Sequence, residues 1–147
     1  MIERMIKMKR IVVGITGASG TIYGISLLQA LHVQPDVETH LVMSRWAKEN
    51  LLVEAPEWSL KDVQDLADVV EDDRNLGATI ASGSFQHDGM VIVPASMKTV
   101  AAISVGLADN LIARAADVTL KEHRPLLIVP RESPFNQIHL ELFLIHI

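Results

Sequence analysis

The chain has no cysteine in its 147 residues. That absence excludes disulfides and thiolate chemistry, and it fits a reducing compartment. Aromatic residues make up only 4%, so the core must be aliphatic. No apolar run approaches the roughly 18 residues of a membrane-spanning helix. The basic start MIERMIKMKR is followed by too short an apolar stretch for a signal peptide. These absences imply a cytoplasmic protein that does not engage a membrane. The six histidines show no H-E-x-x-H or comparable spacing, so no metal site is expected.

The chain is long enough for one domain with a real core. Hydrophobic residues at 49% and charged residues at 21% are ordinary for a globular protein. Met8 is a plausible start, with residues 1–7 an N-terminal extension and 8–147 a single domain. The net charge of −5 is uneven, because residues 98–131 carry +2 and the remainder −7. A basic island in an acidic chain suits a small anionic ligand better than nucleic acid, which favours a basic domain.

Short β-branched runs alternate with helical periodicity. Strands are expected at Arg10–Ile15, Val37–Met43, Gly89–Val93 and Pro125–Val129. Helices are expected at Thr21–Leu31, Arg45–Glu54, Thr99–Leu107 and Asn110–Glu122, the last capped by Asp109. Ser59-Leu60-Lys61-Asp62 reads as a capping box opening a helix that runs to Val70. Residues 71–88 read as loop. Apolar strands alternating with helices imply an α/β fold: a doubly wound, Rossmann-like or flavodoxin-like parallel sheet with helices on both faces.

In such sheets, ligands bind at the carboxyl ends of the strands. Four expected strands end there in phosphate-binding chemistry: Thr16-Gly17-Ala18-Ser19-Gly20, Ser44-Arg45, Ser96-Met97-Lys98-Thr99 and Arg131-Glu132. The turn GITGASGTIYG has neither G-x-G-x-x-G nor P-loop spacing. Strand 2 also ends without the acidic residue that would hold a dinucleotide's ribose, so a mononucleotide fits better. Each polar group alone has a plainer reading. Ser19 or Thr99 can be an N-cap. Arg114 and Lys121, two turns apart, either bind substrate phosphate or form a surface ladder through Asp117. His87 and His123 are expected to face solvent. Trp46 and Trp58 fit either the core or an interface.

The segments GITGASGTIYGISLLQAL, ETHLVMSRWA, SGSFQHDGMVIVPASMKTVAAI, DNLIARAADVTLKEHRPLLIVPRESP and QIHLE together resemble the UbiX-type flavin prenyltransferases, once labelled aromatic acid decarboxylases. The resemblance implies an FMN-binding domain. It implies transfer of a dimethylallyl group from dimethylallyl phosphate to reduced FMN, with the product serving a UbiD-type decarboxylase. It further implies a homo-oligomer, up to a dodecamer, with active sites between subunits. By position, it assigns FMN contacts to Gly17, Ala18, Ser19, Ser44, Ser96, Met97, Lys98, Thr99 and Arg131. It assigns acid–base roles to Ser19 and Glu132, and places Arg114 and Lys121 near the prenyl phosphate. After QIHLE the chain reads LFLIHI, where relatives continue through a further strand, helix and tail. The family's tyrosine and lysine from that segment are therefore expected to be missing. Two other readings remain: a related FMN-dependent decarboxylase, disfavoured by Met97-Lys98 where that class carries an asparagine, and an FMN-binding accessory subunit.

Overall fold

The computed structural model describes residues 7–144, so the expected N-terminal extension lies, apart from Lys7, outside the described residues. Five β-branched, apolar segments form strands: β1 (Lys9–Ile15), β2 (Val37–Met43), β3 (Val69–Asp72), β4 (Gly89–Ala95) and β5 (Leu126–Pro130). All four pairings are parallel, in the order β3-β2-β1-β4-β5. The fold is therefore the expected doubly wound α/β, and its order is the Rossmann-like one. The chain winds outward from β1 through β2 and β3, then returns to β4 and β5. That reversal puts the topological switch between β1 and β4.

Helices α1 (Thr21–His32), α2 (Arg45–Glu54) and α3 (Leu60–Gln64) precede β4, and α4 (Met97–Ser104), α5 (Leu111–Lys121) and α6 (Gln137–Leu144) follow it. Alternation along the strands decides which layer each residue joins. Val13, Ile15, Leu41 and Met43 pack with Ile25, Leu28 and Leu51 of α1 and α2. Val12, Val42, Met90 and Ile92 pack with Val100, Ile103, Leu111 and Ile112 of α4 and α5. Both faces of the sheet are thus covered by aliphatic side chains, as the shortage of aromatics requires. Gly24 lets α1 lie close on the sheet, since an added Cβ would come 2.7 Å from the Val93 carbonyl oxygen.

The capping box forms as expected, with Ser59 and Asp62 bonded reciprocally. The helix it opens does not reach Val70, however; it stops at Gln64. Thr39 N–H donates to the Asp68 carboxylate at 2.7 Å, and Asp68 N–H donates to the Thr39 carbonyl. That pair draws Val69–Asp72 onto β2 as the edge strand β3. Within the 71–88 stretch, a 3₁₀ turn at Thr79–Ala81 buries Ile80 against the core. α4 begins at Met97 rather than Thr99 because Ser96 caps it, and Asn110 rather than Asp109 caps α5. α6 lies beyond the elements expected from the sequence.

Candidate functional site

The carboxyl ends of β1 and β4 are tied together by one buried hydroxyl. Thr16 Oγ1 donates to the Pro94 carbonyl at 2.8 Å and accepts from Ser96 N–H at 2.8 Å. This fixes the Gly17 loop and the start of α4 side by side at the switch point. A cleft of about 500 Å³ opens there, within the range of cofactor sites. Thr16, Gly17, Ser44, Ser96, Lys98 and Thr99 line it from the ends of β1, β2 and β4, and Asp109 and Asn110 from the start of α5 complete its polar lining. Ala101, Ala102, Val105, Leu107 and Ala113 supply apolar wall from α4, α5 and the loop between them.

Two hydroxyls of the lining also cap helices. Ser44 accepts from Ala47 N–H at 3.1 Å, and Ser96 accepts from Thr99 N–H at 3.3 Å. The Ser96 and Thr99 hydroxyls are hydrogen-bonded at 3.0 Å. A cap is compatible with ligand binding: Ser44 keeps its hydroxyl hydrogen and a further lone pair, and the Ser96–Thr99 pair keeps one hydroxyl hydrogen free to donate. Lys98 is exposed at the first turn of α4 and, among the described residues, has no carboxylate partner. A helix N-terminus, hydroxyls and an unpaired ammonium together suit a phosphate.

The glycine-rich turn is built differently from the expectation. Glu54, at the end of α2, accepts from both Gly20 N–H and Thr21 N–H at 3.0 Å. Burial alone would raise its pKa. The Thr21 and Gly20 N–H groups, aided by the Ser19 hydroxyl, instead hold it below the ordinary value. The N-terminus of α1 is thus already occupied by a carboxylate, and anion-binding capacity shifts to the start of α4. Sequence reasoning missed Glu54 because it lies 33 residues beyond the helix it caps.

Of the expected site residues, Gly17, Ser44, Ser96, Lys98 and Thr99 meet in the cleft. Ala18 is buried beneath the loop that carries exposed Ser19. Met97, the first residue of α4, is buried in the core and lies outside the cleft lining. Arg131 donates its N–H to the Ala95 carbonyl at 3.0 Å, and its side chain and that of Glu132 are exposed outside the cleft lining. Arg114 and Lys121 also lie outside this lining. Arg114 donates to the Ala81 carbonyl and pairs with Asp117 at 3.0 Å, whereas Lys121 pairs with Glu122. Only the first half of the expected Arg114–Asp117–Lys121 ladder therefore forms.

His87 corrects another expectation, since it is buried rather than solvent-facing. Its ring nitrogens meet the Gly89 carbonyl at 3.2 Å and the Thr119 hydroxyl at 3.3 Å. His123 is exposed as expected. Trp58 packs against the core, and Trp46 stands exposed at the cleft.

A protein-family profile described as Flavoprotein matches residues 2–141. The flavin prenyltransferase LpdB of Lactiplantibacillus plantarum is 66% identical over 134 residues, covering 91% of this chain and 71% of the relative. The chain belongs to the UbiX-type flavin prenyltransferases. A solved UbiX-type relative, AnUbiX in complex with FMN and dimethylallyl pyrophosphate, superposes with a TM-score of 0.91 at 48% identity, covering 94% of this chain and 72% of that one. A dodecameric FMN-dependent UbiX-like decarboxylase from Escherichia coli O157:H7 gives 0.91 at 53% identity, covering 93% and 74%. This UbiX-type chain spans about 71% of its Lactiplantibacillus relative, and 66% of a UbiX-like relative from Streptomyces. No helix among its described residues is long and apolar enough to cross a membrane.

Proposed function

We propose that this chain binds FMN in the cleft at the switch point and joins a dimethylallyl group, from dimethylallyl phosphate or its diphosphate, to the reduced flavin. The observation that carries the reading is the convergence of Thr16, Gly17, Ser44, Ser96, Lys98 and Thr99 on one cleft in a chain 66% identical to a flavin prenyltransferase. The cleft fits the cofactor chemically. Hydroxyls and an unpaired lysine suit its phosphate, and the aliphatic wall suits its ring system. When bound and reduced, the flavin supplies the electron-rich atoms that accept the allyl group.

The chain's own groups hold and orient the reactants. Lys98 and the N–H groups at the start of α4 hold phosphate. Glu54 clamps the loop that presents Ser19, where a hydroxyl can pass a proton. The Ala101, Ala102, Val105 and Leu107 wall excludes water from the allylic centre, whose developing cation water would otherwise capture. Arg114 and Lys121 face away from this cleft, which supports their acting at the cleft of a neighbouring copy. Positive charge on a departing phosphate stabilises ionisation without a metal. The protein works in the cytoplasm as a homo-oligomer, up to a dodecamer, and hands prenylated FMN to a UbiD-type decarboxylase.

The test is anaerobic incubation with reduced FMN and dimethylallyl phosphate or diphosphate, followed by mass spectrometry of the flavin. A mass gain of one dimethylallyl group is the expected result. Bound but unmodified FMN with both donors would leave the accessory-subunit reading in its place.

A further inference from the structure

We propose that Trp46 is the aromatic wall against which the flavin ring lies, making it a positioning residue for FMN. This rests on the FMN reading above. Trp46 is the one aromatic side chain lining the cleft among the described residues, and the other lining groups are small aliphatics or polar. Aromatics are only 4% of the chain, and its other tryptophan packs against the core. Yet Trp46 is 64% exposed at the cleft. A large planar surface is therefore left uncovered where a planar ligand is expected.

The indole is also held in place from below. It occupies the first turn of α2, behind the Ser44 cap. Gly17 of the cleft loop packs against its Cβ so closely that a Cβ at position 17 would overlap it. The Arg45 guanidinium lies over the ring, 5.8 Å from its centroid, at cation–π distance. A fixed root and a cation over the ring leave little orientational freedom to lose on binding. Such a surface favours an offset-stacked heteroaromatic ring over a flexible aliphatic chain.

The rival occupant is a second copy of the chain. Val53, two turns along α2, shares the stripe and is 82% exposed. The cleft lining distinguishes the two, because it includes Trp46 and omits Val53.

The experiment titrates oxidised FMN into the assembled wild-type, Trp46→Phe and Trp46→Ala proteins. It follows flavin fluorescence, calorimetric affinity and sedimentation together. An indole in contact with oxidised flavin donates an electron to its excited state and quenches it; phenylalanine keeps the flat face but is a much poorer donor. Wild-type protein should quench FMN strongly on binding. Trp46→Phe, which leaves little cavity or strain, should bind within about threefold of wild type and recover emission. Trp46→Ala should bind about tenfold more weakly with sedimentation unchanged. Equal emission of bound FMN in all three proteins would overturn the proposal. So would a change in sedimentation with affinity and emission intact, which would assign Trp46 to contacts between copies. Failure of wild-type protein to bind FMN by calorimetry would overturn the cofactor reading itself, and is seen separately.

Discussion

The two ends of the sheet are both polar, but their charges are used in opposite ways. At the amino end, Arg10 pairs with Glu38 at 3.0 Å, and Glu38 also meets His40 Nε2 at 2.8 Å. Arg124 donates to the Phe85 and Gly83 carbonyls at 2.7 and 2.8 Å. Phe85 lies between His40 and His87 and under the Arg10 guanidinium. The pocket that remains there is about 110 Å³, too small for a cofactor. At the carboxyl end, Lys98 has no carboxylate partner among the described residues and stands beside a cleft of about 500 Å³. Paired charge holds structure together, and unpaired charge beside a cavity awaits a ligand. Removing a paired charge, at the amino end or at the Glu54 cap, should therefore cost stability, and removing the unpaired Lys98 charge should cost affinity.

Lys98→Ala gives the largest expected effect. Loss of a charge-assisted contact to phosphate removes about 1.5–3 kcal/mol, or about 10- to 150-fold in FMN affinity. Urea midpoints should be unchanged. Calorimetric titration with parallel denaturation checks both halves. Equal affinity, or a large stability loss, would erase the contrast between the ends.

Arg124→Met is the mirror image. It orphans two carbonyls and should lower unfolding stability by about 1–3 kcal/mol while leaving FMN affinity unchanged. Denaturant unfolding and the same titration serve as the readout. The expected change is somewhat smaller because Arg124 is only partly buried and water can replace part of its bonding.

Glu54→Gln should remove about 1 kcal/mol, comparable to loss of a helix cap. Its pH dependence carries a sign. Glu54 ionises more readily when folded, so its contribution is complete above the ordinary value of 4.5 and disappears as pH falls below it. Stability followed from pH 6 to 3 should fall less steeply in Glu54→Gln than in wild type. An unchanged slope would show that the α1 cap does not depend on charge.

His87 predicts the smallest effect, in a different window. Burial, with Arg124 nearby, lowers its pKa from the ordinary 6.5. The unfolded chain therefore takes up the proton first, and stability present above pH 6.5 is lost as pH falls through the lowered value. His87→Gln should flatten that part of the profile while leaving the acid-range loss due to Glu54. A profile unchanged between pH 7 and 5 would contradict the burial argument.

Local pattern explains which features were readable beforehand. β1, β2, β4 and β5 were legible within one or two residues because apolar β-branched runs bounded by glycine, proline or hydroxyl residues leave few alternatives. β3 was not, because Val69–Asp72 is held on β2 by Asp68 and Thr39, a contact across 29 residues. The polar cleft lining was legible because each ligand group follows its strand directly. Glu54 was hidden by its distance from Gly20, and the burial of His87 depends on Thr119 of α5, 32 residues away. The placement of Arg114 was hidden for a further reason. Helical spacing puts Arg114 and Lys121 on one face, but only tertiary packing shows that this face turns from the cleft to the Ala81 carbonyl.

The central claim is that FMN sits at the switch point between β1 and β4, with its phosphate held by unpaired groups there. A crystal structure of the chain grown with FMN tests this most directly. The expected result is flavin density in the cleft beside Gly17 and Ser96, with the phosphate within hydrogen-bonding reach of Lys98 or the first N–H groups of α4. Density seated instead against Arg114 and Lys121 of the same chain, or in the pocket beside Arg10 and His87, would contradict it.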